Sequence, residues 1–254
     1  MKCKLEYGSM GFPIKFAMPP CVCGIDVRPG DYTTIIGDIV HSSKFEKRVL
    51  RTILAGKLKD ERECLFVMLN YGVRFCLIDA RPETTLAKRL QEEAQRHYIE
   101  GFRAQYNTQP SAVEWTLNES EKLFTLEQTM TLDRVQHLFQ EQSRVALPRN
   151  YADILKRQFL QEMISSTRTP MTWHGRDYNK WVERGPDHFF HAYNLMLHIA
   201  SYSNLLDGPL EADGVISKGE VAKTVQDVDP DDPEYRRKFY QNAINAGDEI
   251  VFDA

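Results

Sequence analysis

Three aspartates stand where a carboxylate could do chemistry. Two of them close short apolar runs, Cys21-Val22-Cys23-Gly24-Ile25-Asp26 and Arg74-Phe75-Cys76-Leu77-Ile78-Asp79. The third opens the segment Asp187-His188-Phe189-Phe190-His191-Ala192-Tyr193. An ionised carboxylate at the margin of an apolar core is costly unless something pairs with it. Three such groups on one spot repel one another, and divalent cations are the usual remedy. Two such ions about 3.5–4 Å apart can activate a water and neutralise charge on a phosphoryl group, which is the chemistry of phosphodiester hydrolysis. Mg²⁺ and Mn²⁺ favour hard oxygen ligands, so aspartates suit them better than cysteines or a histidine cluster would. Each aspartate also has an ordinary explanation. Asp26 could hold amides around Gly30, Asp79 could cap a helix starting at Pro82, and Asp187 could cap the helix it opens.

The elements that must position these residues are readable in outline. Residues 21–27 and 32–40 form two strands about the turn Arg28-Pro29-Gly30-Asp31, a hairpin. Gly24 would let backbone or substrate approach the first strand closely. Residues 44–56 and 60–71 carry helical spacing, in Phe45/Val49/Ile53 and Leu65/Met68/Leu69. The apolar run 73–79 predicts a strand covered on both faces, and Pro82 with Glu83 predicts a helix start. Short strands are expected over 98–106 and 112–117, helices over 131–142 and 151–164, and a loop over 166–186. A strong helix follows Pro186 and runs to about Leu206. Residues 1–20 read as a connecting arm, 21–208 as one domain and 209–254 as an acidic, flexible tail.

Bulk properties bound the answer. A chain of 254 residues can bury a full core, and its apolar and charged fractions of 42% and 27% are those of an ordinary globular protein. No run is long enough to span a bilayer and the N-terminus lacks signal-peptide features, which predicts a protein without a membrane. Five cysteines, an odd number with no Cys-x-x-Cys pair, fit a reduced cytoplasm. The net charge of −4 neither requires nor excludes nucleic acid, because acidic site residues and an acidic tail lower the total.

The order of these motifs resembles the nuclease domain of phage large terminase subunits. The residues that carry the likeness are Gly24-Ile25-Asp26-Val27 with Asp31-Tyr32-Thr33-Thr34, Leu77-Ile78-Asp79-Ala80-Arg81, and Gly185-Pro186-Asp187-His188-Phe189-Phe190-His191-Ala192, spanning about 20–206. The resemblance implies an α/β fold of the ribonuclease-H-like type, a mixed central sheet flanked by helices on both faces. It implies an endonuclease cutting double-stranded DNA concatemers during viral genome packaging, in the cytoplasm of an infected bacterium. Asp26, Asp79 and Asp187 would coordinate two Mg²⁺ or Mn²⁺ ions, with Asp26 bridging both. Relatives often carry an acid where this chain has His191, so either Asp187 or His191 could complete the ligand set, and His191 could instead carry a proton. His188 is expected to orient a neighbour or sit in the core rather than bind metal. The family's partners would be a packaging ATPase domain, a small terminase subunit and a portal. No Gly-x-x-x-x-Gly-Lys-Ser/Thr phosphate loop occurs here, so the chain reads as the nuclease portion, with residues 1–20 as the linker side of a motor. A resolvase or ribonuclease of the same fold, or a non-catalytic DNA- or portal-docking module, are the alternatives.

Other residues invite weaker readings. His188, His191 and His198 share a helix but lack a partner set for zinc. Cys21 and Cys23 read as buried thiols, while Asp31 and Asp38 could add to the metal cluster but read more readily as turn or surface acids. Cations that could meet DNA phosphates are Lys44, Lys47, Arg48, Arg51, Lys57 and Lys59, then Arg81, Arg168, Arg176, Lys180 and Arg184. Arg176 and Lys180 lie in the Trp173–Trp181 stretch, where aromatics and cations alternate just before Asp187.

Overall fold

The structure, a computed structural model, describes residues 20–42, 47–141, 145–147, 158–173 and 176–206. The arm expected over 1–20 (Pro20 apart) and the tail expected over 209–254 lie outside the described residues, as does Lys44.

Strands β1 (Cys21–Arg28) and β2 (Asp31–Ser42) form the expected hairpin, with Gly30 at φ +71° in its turn. Strand β3 (Lys47–Leu58) then pairs antiparallel with β2 along its whole length. The helix expected over 44–56 is therefore replaced by a strand, and the physical reason is local. Ile36 pairs with Leu54 and Gly37 with Thr52, so Ile53 is an extra residue in β3. That bulge resets the period-two alternation and spaces the buried residues Val49, Leu50, Ile53 and Leu54 as a helix would.

The next elements are α1 (Glu61–Asn70), β4 (Val73–Asp79), α2 (Thr84–Arg96), β5 (Glu100–Asn107), β6 (Trp115–Asn118) and β7 (Leu123–Glu127). They are followed by α3 (Gln128–Glu141), β8 (Val145–Ala146), α4 (Gln158–Met163), β9 (Ser166–Trp173), β10 (Arg176–Glu183) and α5 (His188–Tyr202). Strand β7 was not expected, and α2 begins at Thr84, two residues beyond Pro82. The segment 166–186, expected as a loop, is a two-stranded antiparallel sheet of β9 and β10 apart from the main sheet. Its prolines and glycines concealed it, yet a proline such as Pro170 is tolerated where a strand has no second neighbour to bond.

Among the described residues, eight strands form the main sheet in the order β6-β7-β5-β4-β1-β2-β3-β8. Strands β1, β4, β5 and β7 run parallel, while β2 runs antiparallel to both β1 and β3. This is the ribonuclease-H-like mixed sheet. Side chains of β1 alternate between two cores. Cys21, Cys23, Ile25 and Val27 join Cys64, Met68 and Leu90 of α1 and α2 on one face. Val22, Leu77 and Phe102 meet α5, α3 and α4 on the other, so helices cover both faces. Cys21, Cys23, Cys64 and Cys76 are buried, and none is in a disulfide. Among the described residues no helix is long and apolar enough to cross a membrane.

Helix α5 is buried along most of its length, and His198 lies within it among aromatic rings. Its ring centroid is 5.6 Å from Trp115 and 4.8 Å from Phe124, and neither ring nitrogen has a hydrogen-bond partner among the described residues. Burial, then the charge of Arg134, brings His198 down from 6.5 to about 3. The unfolded chain takes up this proton first, so the stability that neutral His198 contributes is complete above about 6.5 and is lost as pH falls toward about 3. Replacing His198 with Phe keeps a ring and removes the titration. Denaturant unfolding should show the native protein losing about 2 kcal/mol more than the variant between about pH 7 and about pH 5. Equal losses would refute this role for His198.

Candidate active site

Period and register bring the first two aspartates together. Gly24 pairs with Leu77 and Ile25 with Ile78 across the parallel strands β1 and β4. One step further, Asp26 and Asp79 share the α5 face at the carboxyl ends of both strands, the end at which open α/β sheets place their ligands. Both are buried. Asp79 also accepts the Arg81 N–H at 3.0 Å. It caps no helix, because α2 begins at Thr84 behind Glu83. Burial, then the neighbouring Asp26 carboxylate, pushes Asp79 up to about 7, against the pull of the Arg81 amide and of His191. Two buried carboxylates this close repel one another when both are charged, and their hard oxygens fit a divalent cation.

Helix α5 supplies the rest. It is pressed so closely on β1 that a Cβ at Gly24 would lie 2.0 Å from the Ala192 carbonyl oxygen. Its first turn therefore arrives directly over the two aspartates. His188 Nδ1 is 2.8 Å from Asp26 Oδ2. That bond raises His188 above the ordinary imidazole value, against its burial. Arg28 Nε is 4.0 Å from the same oxygen.

Asp187 stands at the N-cap position of α5 but makes no side-chain cap bond. Ser166 Oγ donates to its Oδ2 at 2.5 Å, and His191 Nε2 lies 3.4 Å from that oxygen. Burial works to raise Asp187, but His191 and Ser166 together hold it below the usual carboxylate range. His191 is lowered by burial and raised by Asp187, then by the charges of Asp26 and Asp79, with a net rise. His191 thus stands electrostatically between Asp187 and the Asp26–Asp79 pair. Its ring is held edge-on by Tyr106 at 5.0 Å, whose hydroxyl accepts from Asn194 Nδ2 at 3.0 Å. Among the described residues no three His, Cys, Asp or Glu side chains form a ready-made metal cluster. The oxygen donors that fit a cation are the Asp26–Asp79 pair, with Asp187 engaged by Ser166 and His191.

The remaining candidates are distributed as follows. Asp31 pairs with Lys57 at 3.4 Å, and buried Asp38 is held by Arg51 at 2.9 and 2.5 Å, so neither joins the site carboxylates. His198 lies in the aromatic core, so the three histidines of α5 do not converge. Arg48 donates to the Asn204 and Leu205 carbonyls beyond α5. Arg168 pairs with Asp133 at 2.8 Å, and Trp181 Nε1 donates to the same residue. Arg81 is exposed beside Asp79, and Lys180 is half-buried on β10. Arg176 begins β10, and its side chain lies outside the described residues. Sequence reasoning missed Ser166, Tyr106, Glu162 and Asn194. No local motif marks them, because each reaches the site from a different element.

No protein-family model and no curated protein matches the sequence. Several solved structures are similar to it. The large terminase nuclease from thermophilic phage G20c is 15% identical over 71% of this chain and 83% of its own, with a TM-score of 0.41. The nuclease domain of the large terminase subunit of bacterial virus Sf6, solved with manganese, is 10% identical over 76% of this chain and 92% of its own, at 0.47. The fowlpox virus Holliday junction resolvase is 11% identical over 72% of this chain and 99% of its own, at 0.37. The functional reading rests on this chain's own residues.

Proposed function

We propose that this chain is a divalent-metal-dependent endonuclease that hydrolyses double-stranded DNA, and that it acts in viral genome packaging. One observation carries the reading: Asp26 and Asp79 lie side by side, buried, at the carboxyl ends of adjacent parallel strands. These two would hold Mg²⁺ or Mn²⁺, with Asp187 as the third carboxylate. Bound there, two such ions would supply water activation and neutralisation of the leaving oxygen. His188 fixes the orientation of Asp26 from α5. His191, between Asp187 and the pair, is placed to hold or pass a proton. No side-chain nucleophile is needed. Arg81, beside Asp79, and Lys180 and Arg176, on β10, would meet the DNA backbone without reading bases. A packaging ATPase domain, a small terminase subunit and a portal, and action in the cytoplasm of an infected host, follow from the terminase reading.

The test is direct cleavage. Supercoiled plasmid with Mn²⁺ or Mg²⁺ should pass to nicked and linear forms, and EDTA should stop it. Four-way junctions and RNA–DNA hybrids run beside it separate the rival substrates. Cutting of junctions alone would replace the packaging reading with a resolvase. Absence of both cleavage and Mn²⁺ binding would overturn the enzyme reading.

A further inference from the structure

The first turn of a helix leaves backbone N–H groups that need acceptors. An aspartate at the N-cap normally provides one. In α5 Asp187 holds that position, yet its carboxylate is turned to Ser166 and His191. The acceptor comes from another element. Glu162, buried on α4, accepts the Phe189 N–H on Oε2 at 3.2 Å. Its Oε1 is held by Lys57 Nζ at 3.0 Å and Gln158 Nε2 at 3.0 Å. Two neighbours of Glu162 bind the same turn: Ser165 Oγ donates to the Pro186 carbonyl at 2.7 Å, and Ser166 Oγ to Asp187.

We infer that Glu162 caps α5 in place of Asp187 and is a positioning residue, leaving Asp187 to hold His191 beside the Asp26–Asp79 pair. One carboxylate cannot face both ways. Were Asp187 to rotate onto the amides of its own helix, it would release Ser166 and His191. The carboxylate of Glu162 meets the amide and the positive end of the helix dipole together, which removes the reason for that rotation. Lys57, at 3.0 Å from Oε1, holds the Glu162 side chain in that aim. The catalytic consequence depends on the endonuclease reading; the positional one does not.

Two variants of the full chain test this, Glu162→Gln, which keeps an acceptor oxygen, and Glu162→Ala, which does not. The first measurement is the His191 ring ¹⁵N resonances of the metal-free protein. The second is plasmid cleavage with Mn²⁺, separated into kcat and KM. In Glu162→Ala the His191 resonances should move as Asp187 turns to the cap, and kcat should fall about 10–100-fold with KM within about twofold. Glu162→Gln should restore the native His191 resonances and most of kcat. Native His191 resonances in Glu162→Ala would overturn the inference, as would Glu162→Gln behaving like Glu162→Ala. Should Glu162→Ala not fold, shifted His191 resonances in Glu162→Gln overturn it and native ones support it. If the native chain cuts nothing, the endonuclease reading fails while the His191 resonances still decide the cap.

Discussion

Asp26→Asn should abolish DNA cleavage while leaving the protein folded, lowering the Mn²⁺-dependent rate by about 10³-fold or more. Asn keeps the shape of the side chain and an oxygen facing His188, so the first turn of α5 keeps its contact with β1. What disappears is the charge that the Asp26–Asp79 pair presents to a cation. Mn²⁺ affinity measured by calorimetry should fall at least tenfold, on the order seen for lost outer-shell support or more. A third readout concerns Asp79 alone. Asp26 is the second cause, after burial, of its rise to about 7. In the variant the Asp79 carboxyl should titrate below that value, followed by its ¹³C resonance. Cleavage within about tenfold of the native rate would show that the pair is not the reaction centre.

Gly24→Ala should be the most destabilising small substitution in the sheet. A Cβ there meets the Ala192 oxygen at 2.0 Å, the Met196 nitrogen at 2.4 Å and the Met196 Cα at 3.0 Å. These are backbone atoms of a buried helix, so no rotamer change relieves them, and α5 must lift from β1. Overpacking of ordinary cores costs about 1–3 kcal/mol, and a rigid clash of this depth belongs at or beyond about 4 kcal/mol. For a domain of this size that means a fall in Tm of about 10 °C or more. Gly56→Ala on β3 is the control, since nothing lies within 4 Å of its Cβ. A Tm for Gly24→Ala within about 2 °C of native would refute the close approach of α5.

How much of this was legible before the structure follows from how local each signal is. The strands ending at Asp26 and Asp79 were readable because an apolar run flanked by turn residues needs no tertiary information. The helix after Gly185-Pro186 was readable for the same reason. Strand β3 was not, because the bulge at Ile53 gives its buried residues a helical spacing. The β9–β10 sheet was hidden behind Pro170 and Gly175, which local rules treat as breakers. Capping readings failed in an instructive way: Asp79 lies four residues before the N-cap position of α2 and Asp187 stands at that of α5, but neither side chain caps a helix. Whether an aspartate caps depends on what else reaches its oxygens, and for Asp187 that was decided by Ser166, His191 and Glu162 across three elements. No spacing rule within one segment contains that information.

The alternation along β1 has a practical side for anyone altering this protein. Asp26, Asp79, Asp187, His188 and His191 lie on the α5 side of the sheet, while the layer under α1 and α2 is built mainly from thiols and aliphatic side chains, with Tyr32 and Tyr71 among them. Volume-conserving changes in that layer cost little when total volume is kept. The under-layer can thus be redesigned for heat tolerance, or stripped of Cys21, Cys23, Cys64 and Cys76 for labelling, with the working surface left in its native chemistry. A natural lineage has the same latitude, so homologues of this chain should vary more in this buried layer than around the aspartates on the opposite face.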